Sequence, residues 1–417
     1  MTVTLQPGAR CGSVRAPASK SAAQRLALLA ALGQNEVSLS CDGISRDLAA
    51  LLGCLRVLGA AVRLEGEHIR IAPIRAVPGG TLALPCGESG AALRFLLPVV
   101  GALGLPAVFL REGGLPRRPL APFDDELRRH GMAIETDGSA LRVSGRLFGG
   151  DWTLPGDVSS QFVSALLMAL PLLEEESRLF LSTPLQSAPY AALTEQTLRR
   201  AGVRVEKSFD AYTIPGGQRP ALPASVAVEG DWSAAAAFLA MGALSPDGVA
   251  VEGLDADSAQ GDRAVCGLLR AFGAEVSAEG GCVRVRKKDL RGLRFDASQT
   301  PDLAPVVAAL GALAEGETRI VNAARLRFKE SDRLHTTAAM LASLGADVTE
   351  LPDGLVIRGK PFLSGGVTDG FSDHRVAMAT AICATRADAP VAIDDTACAA
   401  KSYPAFFAQF AQLKTGE

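Results

Sequence analysis

The chain has 417 residues, of which 48% are hydrophobic and 21% charged, with a formal net charge of −3 at pH 7. That length exceeds one ordinary core and predicts two domains, while the apolar content leaves no compositional case for disorder. The slight acidic balance excludes a generally basic nucleic-acid binder, so any anion binding has to come from local clusters of cations.

Taken in chain order, residues 1–15 carry no apolar core or small-residue cleavage site of a secretory signal, which predicts a protein that is not exported. Ser-Lys-Ser-Ala-Ala-Gln-Arg at 19–25 opens a run rich in Ala and Leu and places Lys20, Ser21 and Arg25 at a helix N-terminus, where free N–H groups favour anions. The bland alternative is a solvated cap. After Gly59 come an alternating segment, the turn Glu-Gly-Glu and a second alternating segment, which together predict a hairpin. Pro85 to Arg94 again sets a glycine-bearing turn before an apolar helix, with Gly90 in the turn and Arg94 one turn inside. A buried arginine there needs an anionic partner. Residues 91–110 form the most membrane-like stretch, but Arg94, Pro98 and Pro106 interrupt it, so a buried helix followed by a turn is expected rather than a span.

Ser159, Ser160 and Gln161 stand at a third helix start, where N-capping accounts for one serine but not for three polar groups. The run from Ser233 to Met241 is apolar on nearly all faces, which predicts a buried helix. Asp302 heads a fifth helix, with simple capping an equal alternative. Residues 322–335 crowd Arg325, Arg327, Lys329, Glu330, Asp332, Arg333 and His335 into one segment, which a solvated charged loop would also explain. Asp373, His374, Arg375 and Lys401 follow.

These starts repeat. Ser21, Ser89, Ser160, Ser233, Asp302 and Asp373 are spaced by 68, 71, 73, 69 and 71, and the helix-ending glycines Gly59, Gly131, Gly202, Gly273 and Gly345 by 72, 71, 71 and 72. Each glycine suits the left-handed position after a helix. The predicted repeat is therefore βαβαββ, too small to be stable alone, and six copies divide into two domains of three. The all-apolar helices go inside and the sheets outside, in an α/β architecture unlike a doubly wound sheet. The chain is expected to cross between domains near 13–20 and 229–233, giving one domain from 1–14 with 230–417 and another from 15–229. Lys20, Arg25, Arg94, Arg118, Lys329, Arg333, Arg375 and Lys401 fall in register at corresponding edges of the repeats. Scatter over a solvated surface would not produce that register.

Two motifs are set aside. Gly354 to Lys360 matches a phosphate-loop spacing, but Pro361 stands where that loop has Ser or Thr, and the segment reads as a hairpin strand. The four histidines share no metal-ligand spacing, and the eight cysteines show no paired spacing, so no metal site is expected and a reducing, cytoplasmic setting is.

Lys20–Ser21, Arg25, Ser159–Gln161, Ser187–Tyr190, Pro301–Asp302, Lys329–Arg333, Asp373–Arg375 and Ala400–Pro404 together resemble the 3-phosphoshikimate 1-carboxyvinyltransferase family of enolpyruvyl transferases. The resemblance spans nearly the whole chain and implies an inside-out α/β barrel in two domains of three repeats. It implies that Ser21, Arg25, Ser159, Ser160, Gln161, Ser187, Tyr190, Asp302, Asn322 and Lys329 hold shikimate 3-phosphate. Lys20, Gly90, Arg94, Arg118, Gln161, Arg333, Arg375 and Lys401 would hold phosphoenolpyruvate, with Asp302, Glu330 and Lys20 catalytic. The implied protein is a cytoplasmic monomer without metal or cofactor, acting on these two small molecules and on neither nucleic acid nor membrane. Glyphosate would occupy the phosphoenolpyruvate site. Glu88 and Ala91 depart from the family's usual Asn and Thr, and a carboxylate at 88 must turn away or pair with a cation. The alternatives are a UDP-N-acetylglucosamine enolpyruvyl transferase, whose signature cysteine is missing from residues 113–119, and a non-catalytic sugar-phosphate binding protein on the same fold.

Overall fold

In the computed structural model, which describes residues 2–416, the chain divides into two compact units. One comprises Met1–Pro17 with Glu229–Glu417 and the other Ala18–Val228. In the second unit three sheets follow one plan: a first strand parallel to a second, which pairs antiparallel with one arm of a hairpin. The strands run Leu82–Gly87, Ala107–Arg111, Ala140–Gly145, Met132–Asp137 in one sheet, and Gly150–Leu154, Ser177–Leu181, Ala211–Ile214, Glu206–Lys207 in another. Alternation buries one face of each strand, as at Leu82, Leu84 and Cys86.

Each repeat contributes two kinds of helix. Lys20–Ala31, Gly90–Leu103, Ser160–Ala169, Trp232–Ala243, Ala304–Gly311 and His374–Ala384 are buried around almost their whole circumference. Small residues make this possible, because Ala and Gly let neighbouring helices approach closely. In one unit Gly90–Leu103 packs on Ser160–Ala169, and in the other His374–Ala384 packs on Ala304–Gly311 and Trp232–Ala243. Helices such as Arg46–Val57 instead bury one stripe, at Leu48, Leu51, Leu52 and Leu55. Helices thus fill the interior of each unit and the sheets lie outside them.

The helix-ending glycines take positive φ, with Gly59 at 102°, Gly131 at 104° and Gly273 at 103°. They also admit a close approach: a Cβ at these positions would lie 2.4 Å from the carbonyl oxygen of Ala76, Arg146 or Asp289, respectively. A backbone contact repeated at the same place in three repeats explains why glycine recurs at that spacing.

Three features differ from the repeat read along the sequence. First, two strands change places. Arg10–Arg15 precedes the helix Lys20–Ala31, yet it pairs in the other unit beside Val249–Glu252, with Val14 opposite Val251. Ser225–Ala227 precedes Trp232–Ala243 but pairs with Val37–Ser40, with Val226 opposite Leu39. Second, the sixth repeat lacks its hairpin: Gly366–Asp369 and Val391–Asp394 are completed by Val3–Leu5 from the chain start. Third, the residues that mark the repeat do not all play one part: Ser89 and Asp373 cap their helices, whereas Ser21, Ser160 and Ser233 lie inside theirs, behind the caps Ser19, Ser159 and Asp231. Among the described residues no helix is long and apolar enough to cross a membrane.

Candidate active site

In the unit formed by Ala18–Val228, Lys20 and Ser21 begin the helix Lys20–Ala31, capped by the buried Ser19. Arg25, one turn on, is 2% exposed and held on every side. Its Nε donates to Thr194 Oγ1 at 2.7 Å, Nη1 to the Ser21 carbonyl at 2.9 Å, and Nη2 to Ser164 Oγ at 3.2 Å and the Tyr190 carbonyl at 3.1 Å. The guanidinium also lies over the Phe95 ring. Burial pushes its pKa down to about 10, so it stays charged at neutral pH. An arginine fixed in this way has lost its conformational freedom before any anion arrives.

Ser187 heads the helix Ala188–Arg200 with φ 53°, a strained value for a residue with a Cβ, and is nearly fully buried. Ser160 is buried and Ser159 caps Gln161 N. Gln161 Oε1 accepts from Arg94 Nη1 at 2.6 Å, and Arg94 also reaches the Pro119 carbonyl. Gly90 lies beneath Arg94 and Arg118, since a Cβ there would fall 2.9 Å from Arg118 Nη1 and 3.1 Å from Arg94 Nη1. Lys20 pairs with the largely buried Asp47 at 3.1 Å. Glu88 is turned toward Gly113, where an added Cβ would meet its Oε1 at 2.1 Å.

The other unit gathers the later charged residues into one cluster. Arg333, 1% exposed, begins the helix Arg333–Ser343 and binds three carboxylates. Nη1 donates to Asp302 at 2.9 Å, Nη2 to Glu330 at 2.5 Å, and Nε to Asp373 at 2.8 Å. Asp302 also receives Lys329 at 3.4 Å and Arg375 at 3.1 Å. Asp373 caps the next helix through the Arg375 N–H and accepts from Ser331 Oγ. Asp302 is therefore no simple cap: it sits in the turn Pro301–Leu303, which has no side-chain cap. Its burial opposes ionisation, but Lys329, Arg375 and Arg333 outweigh that and hold the carboxyl well below the usual range. For Lys329, burial and then the Arg333 charge lower the pKa against the pull of Asp302. Lys401 is buried in the turn Thr396–Lys401, which packs on His374–Ala384.

Other candidates are employed differently. Asn322, exposed with φ 56°, donates to Asp296 Oδ2 at 2.7 Å. Arg325 bonds the Ser298 carbonyl, and Arg327 bridges Asp332 and Glu350, so this part of the charged segment holds its own loop in place. His335 is exposed and pairs with Glu350. Among the described residues no group of His, Cys, Asp and Glu could hold a metal ion.

Sequence reasoning missed the residues that hold these side chains. Ser164 carried a faint signal, as a hydroxyl inside the otherwise apolar run from Phe162 to Ala169. Thr194 and Asp47 carried none, since a threonine within a helix and a first-turn aspartate are ordinary. Asp262, buried beneath Ser233, likewise gave no sign.

The family model described as EPSP synthase (3-phosphoshikimate 1-carboxyvinyltransferase) matches residues 6–410. A 3-phosphoshikimate 1-carboxyvinyltransferase from Clostridium kluyveri is 37% identical over 413 residues, covering 99% of this chain and 97% of that one. Its counterpart from Methanocorpusculum labreanum is 38% identical, with 96% of each chain covered. Among solved structures, an EPSP synthase from Acinetobacter baumannii superposes with a TM-score of 0.82 at 24% identity, covering 99% of this chain and 98% of that one. An enolpyruvyl transferase from Streptomyces tendae gives 0.80 at 20%, covering 99% and 97%. At such identities these two structures speak for the fold alone. With the model matched over nearly its whole length and full-length relatives above one-third identity, the chain belongs to the EPSP synthase (3-phosphoshikimate 1-carboxyvinyltransferase) family.

Proposed function

We propose that the residues described above carry the family's reaction in this chain, with Asp302 as the base and Glu330 handling the methylene proton. The reaction moves the enolpyruvyl group of phosphoenolpyruvate to the 5-hydroxyl of shikimate 3-phosphate and releases phosphate. Two multiply charged anions must be brought together, and their repulsion in a site of low effective dielectric has to be offset by fixed cations. Arg25, with Ser21, Ser159, Ser160 and Ser187, would take the phosphate of shikimate 3-phosphate. Gln161, Tyr190 and Asn322 would serve its ring and carboxylate, and Lys329 would add a cation. Lys20, Gly90, Arg94, Arg118, Arg333, Arg375 and Lys401 would hold phosphoenolpyruvate.

The single observation that carries this reading is the gathering of Lys329, Arg333 and Arg375 around one carboxylate, Asp302. Before substrate arrives, acidic partners keep the cations in place. A phosphate or carboxylate of the substrate then competes for them. Asp302 is ionised before the reaction and can accept the hydroxyl proton as the oxygen adds to C2 of phosphoenolpyruvate. Glu330 would deliver the proton to the methylene, with Lys20 supplying it, and would take a proton back from the resulting methyl group as phosphate leaves the tetrahedral adduct, which restores the enol ether. In this scheme residues 1–14 and 230–417 supply Asp302 and Glu330 together with Asn322, Lys329, Arg333, Arg375 and Lys401, and residues 15–229 supply the remaining ligands, the chain crossing from one to the other near 13–20 and 229–233.

The protein is further proposed to act as a cytoplasmic monomer, in keeping with its free cysteines. Phosphate release should require phosphoenolpyruvate and shikimate 3-phosphate together. Release with UDP-N-acetylglucosamine in place of the latter, or none with either acceptor, would overturn the assignment.

A further inference from the structure

Asp262 is a buried carboxylate that the reaction scheme does not use. It is 2% exposed in the turn Gly261–Ala264, which has no side-chain cap, so helix capping does not account for its burial. Ser233 Oγ donates a short hydrogen bond to its Oδ2, and its Oδ1 has no hydrogen-bond partner among the described residues. A charge placed away from water is costly unless it is paired or fully hydrogen-bonded, and Asp262 has little such local support. The turn Gly261–Ala264 and the turn Pro301–Leu303, which carries Asp302, both pack on the helix Trp232–Ala243. The charges that act on Asp262 there include Asp302, Arg375 and Asp231, the last being the cap of the helix that carries Ser233. On the helix that follows Asp262, Arg270 acts together with Arg263 on Cys266.

The surroundings of Asp302 create a difficulty that a second carboxylate would relieve. Three cations keep Asp302 ionised, but the same cations make it a weak base. A neighbouring negative charge that interacts with Arg375 and repels Asp302 raises its affinity for a proton. We infer that Asp262 is a positioning residue for the transfer reaction, its buried charge setting how readily Asp302 takes the proton of the acceptor hydroxyl. This inference rests on Asp302 being the base.

Burial, and then the Asp302 charge, push the Asp262 carboxyl up to about 6, while Arg375 and the Ser233 hydroxyl pull it down. Asp262 is therefore neutral at low pH and gains its charge as the pH rises through that value. Asp302 becomes a stronger base over the same interval.

The test is the pH profile of kcat with both substrates saturating, for the parent, Asp262→Asn, Ser233→Ala, Asp302→Asn and the double Asp262→Asn/Asp302→Asn. In the parent kcat should rise through a step near pH 6, the value of Asp262. Asp262→Asn keeps the shape and should lose that step, with kcat down by up to about 10-fold for each pKa unit that Asp302 loses. The KM for shikimate 3-phosphate should change by less than about twofold, because the ligand's own contacts remain. Its Tm should hold or rise, since a buried charge has gone. Ser233→Ala should move the step to higher pH, because the hydrogen bond favouring the ionised form is removed. The double variant should be no slower than Asp302→Asn alone, as expected when one residue acts through the other. A large loss in Asp302→Asn together with an Asp262→Asn profile that superposes on the parent's would overturn this inference alone. Full turnover in Asp302→Asn would overturn the base assignment and this inference with it.

Discussion

Replacing Arg333 by Met should destabilise its own unit strongly, and in a pH-dependent way. Arg333 is 1% exposed and donates to Asp302, Glu330 and Asp373, whose side chains are 15%, 11% and 0% exposed. Met keeps the length of the stem but removes the charge and its donors. Breaking a buried ion pair by deleting one partner costs about 3–5 kcal/mol, because the other charge is left uncompensated. Here Asp302 retains Lys329 and Arg375, and Asp373 retains Ser331 Oγ and the Arg375 N–H. The loss should therefore fall within that range despite three carboxylates being affected.

The sign of the pH effect follows from the depressed pKa of Asp302. A carboxyl held below its unfolded value contributes stability that is present above about pH 4 and is lost as pH falls through the folded value. In Arg333→Met that depression is weaker, so the gap between parent and variant is widest near neutrality and narrows in acid. The sequence has two tryptophans, Trp152 in one unit and Trp232 in the other, both buried. In a Trp152→Phe background, urea unfolding followed by Trp232 fluorescence reports the unit that contains Arg333. A difference below about 1 kcal/mol at pH 7, or a gap that widens as the pH falls, would refute the reasoning.

Glu330→Gln preserves shape but cannot transfer a proton, so kcat should fall about 100- to 10,000-fold with little change in affinity for shikimate 3-phosphate; near-parental turnover would remove Glu330 from the mechanism. With the parent in heavy water, deuterium should enter the product's methylene, and its absence by mass spectrometry would exclude an addition–elimination route. Gly90→Ala places a Cβ against Arg118 and Arg94, whose flexible ends must give by a few tenths of an ångström. Stability should hold, because Ala is the better helix former, while the KM for phosphoenolpyruvate rises about 10-fold and inhibition by glyphosate weakens. Unchanged phosphoenolpyruvate kinetics would show that Gly90 is not beside that ligand. Thr194→Val removes the acceptor of Arg25 Nε and leaves a buried charged donor unsatisfied, a loss of about 1–3 kcal/mol. This should appear as a KM for shikimate 3-phosphate about 10-fold higher at unchanged kcat; a KM within about twofold of the parent's would show that Arg25 does not depend on Thr194.

The repeat, the helix types and the identity of the charged residues were legible in the sequence because each rests on short-range physics. The glycines at 59, 131 and 273 mark helix ends wherever they occur, and an apolar run such as Ser233 to Met241 has only one comfortable place, the interior. The motifs that marked the family are likewise contiguous, so they survive without knowledge of what they touch. Tertiary structure alone decided which strands pair. Arg10–Arg15 and Ser225–Ala227 read as the first strands of the repeats that follow them, but pairing is a long-range choice, and their alternation suits either partner equally. The same limit governs the site. Lys329, Arg333 and Arg375 could be named as cations from the sequence, but not as three partners of Asp302, since that depends on turns and helix starts meeting across residues 302 to 375. Arg325 and Arg327 look alike in the sequence, and only packing shows them holding a loop instead. Asp262 is the extreme case: an aspartate in a short turn is unremarkable until folding buries it beneath Ser233 and within reach of Arg375, where the loss of water makes its charge matter.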